Sequence, residues 1–102
     1  MEILKDKGTE VVIFGKKYSL VMSLTALEKI EEKLSNLEEL MLNYKTVPVI
    51  LTILIDEYCD DHPDAERITL DELRKNLVPA DIKKITPMLI HMLSGDSSEK
   101  NA

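Results

Sequence analysis

The sequence predicts a mainly α (α+β) fold in which an N-terminal β-hairpin packs on a small bundle of four to five helices. Between residues 9 and 34, apolar residues first alternate with a period of two and then recur every three to four residues. Helix-start signals follow at Pro48, Thr69 and Asp81. With 102 residues, 44% of them hydrophobic, the chain can build one modest core. We therefore expect a single domain over residues 1–95 and a disordered tail over residues 96–102.

The predicted hairpin turns at Gly15-Lys16, because glycine accepts the positive φ that a two-residue turn requires. This turn sets three cross-strand pairs, which are Phe14 with Lys17, Ile13 with Tyr18, and Val11 with Leu20. One face of the hairpin then carries Val11, Ile13, Tyr18 and Leu20. A two-stranded ribbon is marginal in water, so we expect this face to pack on a helix.

The opposite face of the hairpin is mixed in character. It carries Val12, Phe14 and Val21 among Lys17 and Ser19. Either another part of the chain or another molecule can cover Val12 and Phe14, and the sequence leaves both alternatives open.

The first helix is predicted to begin at Ser23 or Thr25, and Thr25 with Glu28 fits a capping box. Its apolar residues recur at steps of three and four, namely Leu24, Leu27, Ile30, Leu34, Leu37 and Met41. Ser35-Asn36 can interrupt the pattern. Residues 24–44 therefore form either one long helix or two.

A middle helix is predicted to begin at Thr46-Val47-Pro48, since proline is tolerated in the first turn of a helix. Residues 47–61 are apolar on nearly every side. Such a helix lies at the centre of a core, or it buries a second face in a partner. Both interpretations remain open at this point.

Two helices are predicted in the C-terminal third. A capping box of Thr69 and Glu72 opens a short helix that Pro79 ends, and Asp81 caps the last helix. The inward-facing residues are Leu70, Leu73 and Leu77 in the first of these helices and Ile82, Ile85, Leu89 and Met92 in the second. Pro87 either kinks the last helix or belongs to a separate helix that starts at Thr86. Gly95 is the expected C-terminal cap.

Charge and cysteine content exclude several classes of protein. A net charge of -6 disfavours nucleic acid and acidic membrane surfaces as partners. Cys59 is the only cysteine, so no disulfide can form within the chain, and the start of the sequence lacks the apolar core of a signal peptide. The apolar run from Val47 to Ile55 is far shorter than the ~20 residues that span a bilayer. We expect a cytoplasmic protein.

No residue pattern predicts a catalytic, metal or cofactor site. Cys59 could pair only with His62 or His91, and Cys59 is more simply a small core residue. The acidic segment from Asp60 to Asp64 lacks the glycine and the terminal glutamate of a calcium loop. We expect that the protein is not an enzyme.

The order of elements resembles a known family. A hairpin VVIFGKKYSLVMS, a helix LTALEKIEEKL, an apolar middle helix, a TLDEL box and a final DIKKI helix follow one another along residues 9–93. This order is similar to that of the tail assembly chaperones of long-tailed (siphovirus-type) phages and prophages. The clearest local match is the hairpin from Phe14 to Leu20. The resemblance implies a cytoplasmic protein, absent from the finished virion, that binds the tape measure protein and helps the tail tube polymerise around it.

The resemblance implies the tape measure protein as a partner, with the tail tube protein and a second copy of the chain as further candidates. A tape measure chain is expected to expose long apolar helices, and an acidic domain with spare apolar surface could cover them and keep them soluble. We expect this surface to comprise Val12, Phe14, Val21, Leu51, Leu54, Ile55, Tyr58, Met88 and Met92. The alternative for the methionines is plain filling of the core.

Two other functional classes stay open. The protein could be a generic interaction or regulatory module that oligomerises through the hairpin. It could also be a helix-turn-helix regulator built on residues 69–93, although the last helix, which would be its recognition segment, has Lys83 and Lys84 but no arginine.

Overall fold

A computed structural model of the chain describes residues 8–34 and 42–94. Within these ranges the elements are, in order, β1 (Thr9–Ile13), β2 (Lys16–Leu20), α1 (Leu24–Leu34), α2 (Val47–Asp61), α3 (Leu70–Asn76) and α4 (Pro79–Ser94). A β-hairpin followed by a helical bundle is thereby confirmed. The predictions for Leu37 and Met41, for one helix or two over residues 24–44, for the Gly95 cap and for the tail fall wholly or partly outside the described residues.

Helix α2 is the centre of the fold. Helices α1, α3 and α4 and strand β2 all pack against it. Its apolar side chains are almost all buried, and Val47, Ile50, Leu51, Leu54 and Ile55 have no exposed surface. A helix that is apolar on every side needs neighbours on every side, which is the arrangement found. The interpretation of α2 as a central core helix is confirmed.

The hairpin turns at Phe14-Gly15, so the predicted turn at Gly15-Lys16 was wrong. The observed partners are Thr9 with Leu20, Glu10 with Ser19, Val11 with Tyr18, Val12 with Lys17, and Ile13 with Lys16. Phe14 and Gly15 have φ of 52° and 78°. Two consecutive positive φ angles are the pattern of a type I′ turn, whose twist matches that of the strands and which favours glycine at its second central position.

This register differs from the predicted one by two residues, so each side chain that lies in a strand in both registers keeps its predicted face. Ile13, Tyr18 and Leu20 are buried against the helices, and Val11 is partly buried. The inner face was therefore predicted correctly although the pairing was not. The observed register also places Lys16 inside β2, where its Nζ lies 2.8 Å from Oε2 of Glu66.

Helix α1 begins after Ser23 and not at Thr25. The Ser23 hydroxyl accepts a hydrogen bond from the Ala26 N–H at 3.1 Å, which is the N-cap interaction. Ala26 and Ile30 are the buried residues of this helix. Leu24 is 78% exposed, so it does not belong to the inward stripe in which the sequence placed it.

Helices α3 and α4 are joined by Leu77 and Val78. The capping box of Thr69 and Glu72 is present in both directions, as predicted. Asp81 is not the N-cap of α4, because the helix already begins at Pro79 and the Asp81 carboxylate accepts a hydrogen bond from the Val78 N–H at 2.9 Å. Proline at the first helical position lacks only a donor that would be unsatisfied there.

Pro87 lies inside α4, which continues through it, so Thr86 does not start a separate helix. The Thr86 hydroxyl donates a hydrogen bond to the Ile82 carbonyl at 2.7 Å, one turn earlier. Leu89 is fully buried, and Ile82, Ile85 and Met92 are partly buried against the core. The predicted inward stripe of this helix is confirmed.

Candidate protein-binding surfaces

The tip of the hairpin exposes two large apolar side chains. Val12 is 65% exposed on the outer face of β1, opposite Lys17, and Phe14 is 43% exposed in the turn. An exposed valine alone is ordinary on a protein surface. Val12 and Phe14 lie two residues apart at the end of the hairpin and together form a small exposed apolar patch, which we call the hairpin tip.

Phe14 holds an unusual backbone conformation. Its φ of 52° makes it the non-glycine residue with positive φ among the described residues. The left-handed region costs an L-residue roughly 1–2 kcal/mol, and bulky side chains are rare there. Asparagine or glycine would satisfy the turn at lower cost. The fold thus keeps an aromatic ring at a position where the turn itself favours a small or polar residue.

The hairpin is fastened to the rest of the protein just behind its tip. The Tyr18 hydroxyl donates a hydrogen bond to the backbone carbonyl of Glu66, and Lys16 forms an ion pair with the Glu66 carboxylate at 2.8 Å. The hydrogen bond that Lys16 donates to the Glu66 carboxylate raises the pKa of Lys16 above its usual value, whereas burial raises the pKa of Tyr18. These contacts fix the position of the tip relative to α2 and the loop that follows it.

Val21 lies at the other end of β2 from the tip and is half-buried. A Cβ placed on Gly8, whose φ is 88°, would lie 3.0 Å from Val21 Cγ2 and 2.5 Å from Ser19 Oγ. Val21 is thus covered in part by the backbone that leads into β1. It offers less free surface than Val12 or Phe14.

Leu51, Leu54 and Ile55 are fully buried in α2 and offer no surface to a partner. Their assignment to a partner-binding surface is corrected, because α2 is surrounded by α1, α3, α4 and β2. The sequence could show that the helix is apolar all round. It could not show how many neighbours the helix has.

Tyr58 belongs to an aromatic cluster at the C-terminal end of α2. Its ring meets that of Tyr18 edge to face, with centroids 5.7 Å apart, and it stacks on the His62 ring with centroids 4.0 Å apart. His62 Nδ1 lies 2.9 Å from the Tyr58 carbonyl oxygen. Tyr58 is half-buried by these contacts, and its packing ties the hairpin to α2.

Met88 and Met92 are half-buried in α4 and pack against the core. Their location agrees with the core-filling alternative. Helix α4 and the hairpin both pack on α2 but share no contact with each other among the described elements. The residues predicted to form one surface are therefore divided between two parts of the molecule and its core.

A further surface, which the sequence did not predict, lies where α3 and α4 meet the start of α2. It is a partly open groove of about 870 Å³. Its apolar lining consists of Tyr44, Pro48, Leu73, Leu77, Val78, Pro79 and Ile82. Tyr44 is 71% exposed and Val78 52% exposed, so apolar side chains also face water at its edge.

The charged residues that line this groove are all basic, namely Lys45, Arg74 and Lys83. Arg74 and Lys83 have no carboxylate within 4.0 Å among the residues that the structure describes. We call this site the basic-rimmed groove. The sequence did offer one indication of this site. With Pro79 as the first residue of α4, the connection from α3 is short, and Val78 and Lys83 fall close to α3.

Cys59 is buried, as predicted for a core residue, and burial raises the pKa of its thiol, which opposes the thiolate form that a nucleophile needs. Within residues 8–34 and 42–94 no cluster of His, Cys, Asp and Glu could hold a metal ion. None of the helices in these ranges is long and apolar enough to cross a membrane.

Comparison of the chain with family models, with curated proteins and with solved structures finds no match.

Proposed function

We propose that this protein is a non-catalytic tail assembly chaperone of a long-tailed phage or prophage, which acts in the host cytoplasm, binds the tape measure protein and assists assembly of the tail tube. The observation that carries the proposal is the exposed ring of Phe14, held at positive φ beside exposed Val12. The order of hairpin and helices along the chain supports it by resemblance.

The conformation of Phe14 supports a role in binding because it conflicts with local stability. Strain at a bulky residue persists when the surrounding structure or a function requires it. Here the Phe14 side chain is only half-covered, so its own packing offsets little of the cost. An aromatic anchor for a partner accounts for the presence of phenylalanine at this position.

The charge of the protein is compatible with the same role. A long apolar client chain aggregates unless it is covered, and a net charge of -6 on a small partner helps to keep the complex dispersed. The acidic residues Glu28, Glu31 and Glu32 lie exposed on α1, away from the core. The hairpin tip is thus an apolar patch on a protein that is acidic overall.

Coexpression with the tape measure protein encoded in the same genome tests the proposal. The wild-type chain should copurify with that protein and raise its soluble yield, and a Phe14→Asn variant should lose most of this binding. The variant should keep or gain stability, because relief of about 1–2 kcal/mol of strain outweighs about 1 kcal/mol for a half-buried ring. Higher stability together with weaker binding is the signature of a residue retained for function.

Leu24→Ser is the matched control. Leu24 is also an exposed apolar residue, but it lies beyond the end of β2 that is farthest from the turn. The Leu24→Ser variant should bind the tape measure protein as the wild type does. If both variants bind equally well, or if the wild-type chain ignores the tape measure protein, the proposal fails.

A generic oligomerising module is the second candidate, and one observation favours it. The sheet has only β1 and β2 among the described residues, so each strand has an edge that no other described strand covers. Such edges can pair with another copy of the chain. Light scattering of the protein alone at increasing concentration separates the two candidates. If the wild-type chain self-associates without any tape measure protein and Phe14→Asn abolishes this association, the oligomerising module is favoured.

A further inference from the structure

The basic-rimmed groove is a second exposed apolar surface, and its charge distinguishes it from the hairpin tip. We propose that this groove binds an amphipathic α-helix of a partner protein, with an apolar stripe against the groove floor and Asp or Glu side chains against Lys45, Arg74 and Lys83. The inference uses neither the hairpin nor a phage partner. It therefore stands or falls separately from the proposed function.

The shape of the groove favours a helix over a small molecule. Its volume of about 870 Å³ falls within the range of roughly 300–1,000 Å³ found for ligand pockets, but the groove is only partly enclosed. A small ligand would remain largely in contact with water there. An amphipathic helix needs to bury only one face, and a groove between helices accepts its apolar residues at steps of three and four.

The rim decides which helix fits. Neither Arg74 nor Lys83 lies within 4.0 Å of a carboxylate of the described residues, and the acids Glu72 and Asp81 accept the Thr69 and Val78 N–H groups at 3.1 and 2.9 Å. The guanidinium of Arg74 is thus available for a bidentate bond with an incoming carboxylate, which is the strongest kind of charged hydrogen bond at an interface.

The overall charge of the protein does not prevent an acidic partner from binding. The net charge of -6 acts over long distances, and at physiological salt it is screened beyond about 8 Å. Contacts with Lys45, Arg74 and Lys83 lie well within that distance. Local attraction at the groove therefore outweighs the general repulsion once the helix is docked.

Nucleic acid is disfavoured as the occupant for a different reason. Phosphate contacts need basic side chains, but they do not need an apolar floor, and a duplex would also meet the acidic remainder of the surface. Exposed Val78 and the apolar residues below it, Leu73, Leu77 and Ile82, would gain nothing from a phosphate backbone. The combination of floor and rim is the one that an acidic amphipathic helix matches.

Fluorescence anisotropy with a designed peptide tests the proposal on the full chain. The probe is a labelled helical peptide of about 18 residues with leucine at every third and fourth position and glutamate on both sides of this stripe. It should bind with a dissociation constant that rises with salt. Two control peptides should each bind at least about tenfold more weakly. One has lysine in place of every glutamate, and the other has serine in place of every leucine.

Charge reversal locates the site. The double variant Arg74→Glu, Lys83→Glu should bind the acidic peptide about tenfold more weakly or worse and should gain binding of the lysine peptide. Lys84→Glu is the matched control, because Lys84 is exposed beside Lys83 but does not line the groove, and it should stay within about twofold of wild type. Gain of binding by the double variant also shows that it is folded.

Several outcomes would overturn the inference. Equal weakening by Lys84→Glu would mean that general charge acts instead of the groove, and undiminished binding of the serine peptide would mean that the apolar floor is not used. Tighter binding of duplex DNA than of the peptide would assign the rim to phosphate. A dimer of the protein alone that the double variant abolishes would assign the groove to a second copy. Phe14→Asn should bind the peptide as wild type does, which separates this site from the hairpin tip.

Discussion

The ring of Tyr18 in β2 meets the ring of Tyr58 in α2 edge to face, with centroids 5.7 Å apart and planes inclined by 80°. The same Tyr18 side chain donates a hydrogen bond to the backbone carbonyl of Glu66, in the segment between α2 and α3. Tyr18 thus joins the hairpin to the central helix and to the segment that follows it. Aromatic pairs of this geometry contribute roughly 0.5–1.5 kcal/mol beyond the area they bury.

Replacing Tyr18 should separate its two roles. Tyr18→Phe keeps the ring contact but removes the hydroxyl, and we expect it to lower the free energy of unfolding by about 1 kcal/mol. Tyr18→Ala should cost about 3–5 kcal/mol, because it also leaves a cavity between the hairpin and α2. Urea unfolding followed by circular dichroism measures both. A Tyr18→Phe variant as stable as wild type would mean that the bond to Glu66 adds nothing.

The cap of α1 offers a comparison of neighbouring hydroxyls. The Ser23 hydroxyl accepts the Ala26 N–H, whereas the Thr25 hydroxyl makes no hydrogen bond with a described residue. Ser23→Ala should therefore lower the free energy of unfolding by about 1 kcal/mol, and Thr25→Ala should change it by less than about 0.5 kcal/mol. Thermal unfolding of the two variants side by side is the measurement. A larger loss of stability for Thr25→Ala than for Ser23→Ala would instead favour the predicted capping box of Thr25 and Glu28.

Cys59 should make the protein less stable in mild alkali. Burial raises the pKa of its thiol above its ordinary value, so the folded chain holds the thiol proton more tightly than the unfolded chain does. Stability is then complete below the unfolded pKa and falls as the pH rises above it. We expect the urea midpoint to decline as the pH rises above the ordinary pKa of a cysteine thiol. Cys59→Ala should flatten this decline, and an unchanged slope would contradict the assignment.

Pro87 is expected to destabilise α4. Alanine at this position would supply an N–H for the carbonyl one turn earlier, and it would remove the clash of the proline ring with that turn. The gain should be about 1 kcal/mol, less than the intrinsic penalty of about 3 kcal/mol, because the unfolded chain also becomes freer. Urea unfolding of Pro87→Ala tests this. A loss of stability would mean that Leu89 packs on α2 only when the helix bends at Pro87.

The sequence predicted the inner face of the hairpin but not its register. Residues on one strand face alternate, so Ile13, Tyr18 and Leu20 share a face in either of the two registers that differ by two residues. In the observed register Lys16 and Tyr18 both contact Glu66, which is far away in sequence. The local turn preference leaves both registers open, because glycine fits the first central position of a type II′ turn and the second of a type I′ turn.

The candidate sites illustrate the same limit. Val12 and Phe14 could be singled out as candidates because they stand apart from the inner face, yet only the folded chain shows that both remain exposed. Leu51, Leu54 and Ile55 are as apolar as any partner-binding residues, and the helices around α2 bury them. The basic-rimmed groove escaped prediction because its residues come from separate segments, the turn at Tyr44-Lys45, the start of α2, α3 and the start of α4.

The sequence by itself determined the succession of two strands and a set of helices, the capping box of Thr69 and Glu72, and the apolar character of α2, since these depend on residues within a few positions of one another. The tertiary structure decided the hairpin register, the burial of Leu51, Leu54 and Ile55, the exposure of Phe14, and the meeting of Arg74 and Lys83 on one groove. Each of these depends on contacts between residues distant in the chain, and periodicity along a sequence carries no information about which distant surfaces meet.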